Sequence, residues 1–123
     1  MDLWTRLLLL ASGLLGAAGV AAAAAAAHVT GGGLLETAAH FLLFTAVAVA
    51  GLCALALRLA GGSAVVRAGA SLLVLGCLLF SGDLAARALM DVKLLGGSAP
   101  FGGTTMILGW LVVAASAFVV RKG

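Results

Sequence analysis

The chain has 123 residues, 64% of them hydrophobic and only 9% charged, with a formal net charge of +3. A soluble domain is nearer half apolar and a quarter charged, and one of this length has no means of hiding so much apolar surface from water. The seven bases are scattered without any run of Lys or Arg, which excludes the clustered footprint that nucleic acid requires and leaves the bilayer as the natural solvent.

Spans follow from the uncharged runs, since a crossing helix needs about 20 mostly apolar residues. The first run, Leu7 to Leu35, loses its apolar character near Ala27, which predicts a helix over 4–27 with Trp4 as an interfacial anchor. The same segment has the outline of a signal peptide, with Arg6, an apolar centre and small residues before His28. Its apolar part is long for that purpose, so a retained helix is expected. Ser12 and Gly16 make a small-xxx-small pair suited to close helix packing. The stretch HVTGGGLLE then reads as an external loop with Gly31-Gly32-Gly33 as its punctuation. It lacks the strand context and GK[ST] ending of a phosphate loop, as does Gly96-Gly97.

The second run, Thr37 to Leu57, predicts a helix over 36–58. Cys53, and Cys77 further on, sit inside apolar runs and read as small packing residues. LRLAGGSAVVR is a short internal loop. The third run, Ala68 to Gly82, covers only roughly 22 Å at ~1.5 Å per residue, too little for a ~30 Å hydrocarbon core. Gly61-Gly62 limits backward extension, whereas DLAARALM is rich in helix formers, and Asp83 and Arg87 share a face four residues apart. A helix over 65–90 is therefore expected, carrying Asp83 a few ångströms inside the far boundary. Gly69, Gly76 and Cys77 put small groups along it. After an external DVKLLGGSAPFGG region, in which Pro100 to Gly103 reads as a turn, a fourth helix is expected over 102–121, with Ala114, Ala115 and Ala117 as small residues.

The expected fold is thus all-α: a single four-helix antiparallel transmembrane bundle over residues 1–123. Arg6, Arg58, Arg67, Arg121 and Lys122 fall at one end, against Arg87 and Lys93 at the other. This bias predicts that both termini are cytoplasmic.

Several short motifs resemble those of the small bacterial inner-membrane proteins grouped as domain of unknown function 423, similar to transmembrane protein 256. LFSG at Leu79 to Gly82 is the strongest. PFGG at Pro100 to Gly103, LGW at Leu108 to Trp110, AAH at Ala26 to His28 and ETA at Glu36 to Ala38 follow in the family's order and spacing. The resemblance implies a four-helix protein of the bacterial inner (plasma) membrane and brings no established activity with it. It also singles out Gly82 and Gly103, which join Ser12, Gly16 and Trp110 as expected bundle-packing residues. Phe44-Thr45 stands where the family carries an aromatic-histidine pair, and Asp83-Leu84-Ala85 where it tends to have Ser-Leu-Tyr.

Ionisable groups inside a membrane are costly and are functional candidates by default. Here they gather at one end: His28, Glu36, His40, Asp83 and Arg87 are the polar-pocket candidates, with Thr104 and Thr105 opening the fourth helix. Asp83 with Arg87 reads first as an interfacial pair that lets the helix finish crossing, and second as a pocket for a lipid headgroup or small polar solute. Trp110 falls near mid-bilayer and is expected in the core, its N–H meeting a neighbouring helix. His28 and His40 are near enough in sequence to suggest a metal or haem, but no third ligand, CxxCH or HExxH supports one, so no metal or cofactor is expected. Ser81 follows no G-x-S-x-G pattern, and no catalytic residues are assigned.

The reading that results is a non-enzymatic membrane component binding lipid, an apolar ligand or a membrane-protein partner. A small oligomeric transporter or channel is the alternative, and a haem- or metal-binding protein the third. Membrane lipids, a membrane-protein partner or a second copy of the chain are the expected partners, and nucleic acid is not.

Overall fold

The computed structural model describes residues 1–30 and 33–123. The described residues form four long helices. Helix α1 is Leu3–Ala25, continued by a π turn over Ala26–Thr30. Helix α2 is Gly33–Arg58, α3 is Ser63–Met90 and α4 is Ala99–Ser116. Each is long and apolar enough to cross a membrane. Two short strands, β1 (Leu59–Gly61) and β2 (Arg121–Lys122), pair antiparallel. A 3-10 turn, Leu94–Gly96, lies between α3 and α4.

The third helix resolves the problem of the short apolar run by extending both ways. It starts at Ser63, after Gly62 at φ +83, and ends at Met90, before Asp91 in the left-handed region. Gly62 combines a positive φ with tight quarters, since a Cβ there would lie 2.6 Å from the Val119 carbonyl oxygen. Twenty-eight residues give α3 a length of about 42 Å, ample for a ~30 Å core.

Helix α4 differs from expectation at both ends. PFGG is not a turn but lies within its first two turns: Pro100 stands where no backbone donor is needed, and its fixed φ suits the start of a helix. The helix stops at Ser116 rather than at 121. The Ser116 hydroxyl donates to Val113 O at 2.6 Å, and the chain turns so that Arg121 and Lys122 reach β1. The expected loop over 28–35 is also shortened, because the π turn runs to Thr30 and α2 begins at Gly33. Gly31 and Gly32, part of the expected glycine punctuation, lie outside the described residues.

Chain neighbours pack together, α1 on α2, α2 on α3 and α3 on α4, with a sparser contact between α1 and α3. The core runs through Leu8, Leu15, Leu42, Val49, Leu73, Cys77 and Met106. Contacts at one end bring the termini together: Asp2 meets Arg67 at 3.6 Å, and the Gly123 N–H donates to Arg58 O at 3.1 Å. Both termini therefore lie at the end of the bundle that carries the α2–α3 connection.

Candidate functional site

Asp83 sits at the opposite end, in the last third of α3, and is fully buried. Arg87, one turn on, donates to both its oxygens, from Nε at 3.2 Å and from a terminal nitrogen at 2.9 Å. The backbone N–H groups of Leu94 and Ala99 donate to the same oxygens at 2.9 and 3.0 Å. Ala99 is the first residue of α4, and Ser98 before it makes no side-chain cap. Asp83 thus caps α4 from another helix, a carboxylate placed where exposed N–H groups and the helix dipole favour negative charge. Ser98 adds a second tie, its hydroxyl donating to Leu79 O at 2.8 Å. Four donors leave this carboxylate no free face for a solute.

The other polar candidates are not joined to it. Glu36 and His40 are exposed on α2 and face each other loosely at 4.0 Å. With Ala23, Ala26, Ala27 and Ala39 they line a shallow hollow of about 280 Å³. His28 is exposed in the π turn. Among the described residues no three His, Cys, Asp or Glu side chains converge as a metal site would require. Thr104 and Thr105 donate to the carbonyls of Pro100 and Phe101 in their own helix.

Serines serve as ties between helices, a role the sequence does not announce. Ser12 of α1 donates to Ala46 O of α2 at 2.7 Å, and Ser81 of α3 donates to Ala38 O of α2 at 3.1 Å. Such bonds are retained in lipid, where backbone carbonyls have no water to turn to. Ser81 is buried and committed in this way, so its hydroxyl is not presented as a nucleophile. Gly16 lies beside the same Ala46, its notional Cβ 3.5 Å from that side chain.

The α3–α4 contact is a seam of four glycines. Gly69 faces Gly109, and one heptad away Gly76 faces Gly102. A Cβ on Gly76 would lie 2.6 Å from Met106 N and 2.7 Å from Gly102 O, and one on Gly102 would collide with Phe80 N. Two of the glycines expected to pack the bundle do not belong to this seam. Gly82 faces Leu94 of the connection, and Gly103 has nothing nearer than the Phe80 ring at 3.8 Å. The sequence marks PFGG without distinguishing its two glycines. One residue is about 100° of rotation on a helix, and only Gly102 points at α3.

That rotation also places Trp110. Gly109, beside it, takes the inward position, and Trp110 is left 49% exposed, outside the core. It lines a groove of about 430 Å³ with Phe41, Phe44, Phe80, Met106 and Ile107. Phe80 of α3 forms its floor, its ring 4.9 Å from Phe41 in an edge-on arrangement. Helices α2 and α4 form the walls and make no extensive contact with each other.

At the termini end a second cluster joins α1 to α3. The Trp4 indole N–H donates to the Ser71 hydroxyl at 2.9 Å, and the Arg67 guanidinium lies 5.0 Å over the Trp4 ring. Asp2 caps α1 by accepting from Thr5 N–H at 3.1 Å. Hydrogen bonding from Thr5, with Arg67 behind it, holds the Asp2 carboxyl below the usual carboxylate value. Sequence reading treats Trp4 and Arg67 only as interface markers, because contacts between residues so far apart leave no local pattern.

The family model described as protein of unknown function (DUF423) matches residues 15–103. The chain belongs to this family. The matched span holds the Asp83 cap, the Ser81 tie, Gly76 and Gly102, while Asp2, Trp4 and Trp110 lie outside it. The UPF0382 membrane protein SH2409 of Staphylococcus haemolyticus is 45% identical over 47 residues, which is 38% of this chain and 38% of that protein. No solved structure matches the chain. Four apolar helices together with this membership make it a multi-pass membrane protein of a family without an assigned activity.

Proposed function

We propose that the protein is a non-enzymatic component of the bacterial inner (plasma) membrane that takes up an apolar ligand, a lipid chain foremost, in the groove between α2 and α4. The groove itself carries this reading: it is lined by aromatic and aliphatic side chains, floored by Phe80, and opens where the two helices stand apart. Such a concave apolar surface with few polar groups suits chain-like or planar apolar molecules. The buried polar groups Asp83, Ser12 and Ser81 are spent on the bundle's own architecture, in the cap and the serine ties, which supports binding over catalysis. It also counts against Asp83 as a proton carrier. The bias of bases toward the termini end supports cytoplasmic termini.

Trp110 provides the test. In a Trp4→Phe background it is the remaining tryptophan, and titration with brominated stearic acid in mild detergent should quench its fluorescence to saturation. Gly103→Leu projects a side chain into the groove and should abolish the saturable phase. Linear quenching, equal in both proteins, would refute the groove as a binding site. Native mass spectra that show a second copy or another membrane protein seated there, in place of lipid, would move the proposal to that partner.

A further inference from the structure

The face between α1 and α3 carries a furrow distinct from this groove. It begins at Trp4 and Ser71, passes Leu7, Ala11 and Val74, and ends at Ala18. Leu7 to Ala18 covers about 16 Å of helix, close to half of a ~30 Å hydrocarbon core and so the depth of one leaflet. At its head stands Arg67, whose side chain is only 18% exposed. Its sole acidic neighbour among the described residues is Asp2, at 3.6 Å, beyond good hydrogen-bond distance, and its buried Nε has no partner. Arg87, at the other end of the same helix, donates from both kinds of nitrogen to one carboxylate. An unpartnered buried Nε is costly, and the terminal nitrogens of the same guanidinium, held only loosely by Asp2, match the oxygens of a phosphodiester.

We propose that this site binds an anionic phospholipid from the leaflet on the side of the termini. Its phosphate is held by Arg67 beside the Trp4 indole, and one acyl chain lies along the furrow. Asp2 competes with the phosphate for the guanidinium, which makes the Asp2–Arg67 contact the ligand-free arrangement.

Native mass spectrometry of the full-length protein, with phosphatidylglycerol or phosphatidylcholine of matched chains added in mild detergent, tests this. Phosphatidylglycerol should be retained about tenfold more than phosphatidylcholine, which offers the same phosphodiester but sets a quaternary ammonium near the Arg67 guanidinium, where like charges repel. Arg67→Gln should erase the preference. Because that change also removes a contact with Trp4, Asp2→Asn gives an independent reading: removing the competitor should raise phosphatidylglycerol retention, whereas a purely structural Asp2–Arg67 pair predicts no gain. In a Trp110→Phe background, brominated phosphatidylglycerol should quench Trp4 to saturation. Equal retention of the two lipids, an intact preference in Arg67→Gln, or no gain in Asp2→Asn would overturn the proposal. So would inorganic phosphate alone displacing the lipid, since the site would then recognise an ion and not a lipid.

Discussion

Replacing each glycine of the PFGG motif by alanine separates packing from helix propensity at two adjacent positions. In a helix interior Gly→Ala gains roughly 0.5–1 kcal/mol from backbone entropy alone. At Gly103 nothing opposes that gain, because the new methyl meets only the edge of Phe80 at 3.8 Å. At Gly102 the methyl would run into backbone atoms of Phe80 and Gly76, which no change of rotamer can relieve. The facing position gives the scale: at Gly76 the nearest backbone atom is 2.6 Å from the notional Cβ, against 3.4 Å or more in ordinary contact, so the helices must part by about 0.8 Å. A gap of 0.5–1 Å forfeits a quarter to a half of the dispersion well for the atoms across it, and overpacking typically costs about 1–3 kcal/mol. Gly102→Ala should therefore destabilise by about 1–2 kcal/mol after the propensity gain, while Gly103→Ala stabilises by up to about 1 kcal/mol. Reversible unfolding in mixed micelles of mild detergent and dodecyl sulfate, followed by far-ultraviolet circular dichroism, measures both. Two variants within about 0.5 kcal/mol of each other, or Gly103→Ala as the worse, would show that the α3–α4 seam is not set by backbone contact.

Other consequences are open to simpler measurements. Asp83→Ala leaves the N–H groups of Leu94 and Ala99 without their acceptor, so amide exchange at both should accelerate while the middle of α3 stays protected; unchanged protection would mean that the carboxylate does not hold the connection. Cys53 and Cys77 are 3% and 0% exposed, so a maleimide should leave both unmodified in mild detergent and modify both in dodecyl sulfate. With Cys53 and Cys77 replaced by Ala, cysteines at Lys93 and Lys122 should be labelled from opposite faces of the membrane, Lys122 from the cytosol; labelling from the same face would break the topology.

Much of the fold was legible because bilayer thickness, apolar run length and charge position constrain it jointly. The third helix is the clearest case. A run too short to cross, followed by helix formers with an acid and a base on one face, allows one continuous helix, and α3 runs through Asp83 to Met90. What Asp83 does there was not legible, because its other partners, Leu94 and Ala99, contribute backbone N–H groups that every residue but proline possesses. The same limit applies to Gly102 and Trp110. Composition shows that α4 has small and large residues, but the rotation that aims Gly102 and Gly109 at α3 depends on where the helix begins. That start is capped by Asp83 from the neighbouring helix α3. The β1–β2 pair was missed for a related reason: strand pairs this short carry no alternation to read.

The cap and the seam together account for the groove. Helix α4 is held at its start by Asp83, along its length by Gly102 and Gly109 against α3, and beyond its end by β2 on β1. The first two attachments draw it toward α3 along its length, and the third, beyond its end, ties the chain to the α2–α3 connection and to Arg58 at the end of α2. On the α2 side stand Ile107 and Trp110, opposite Phe41 and Phe44, and side chains of that size keep two helices apart. The opening is therefore a consequence of the size asymmetry around α4, small residues on one face and large on the next, and not of loose packing. Shrinking the large face should leave the α3–α4 seam intact and merely enlarge the groove. Trp110→Ala should accordingly retain native stability while binding bulkier apolar ligands, and a loss of stability comparable to that of Gly102→Ala would place Trp110 in the core after all.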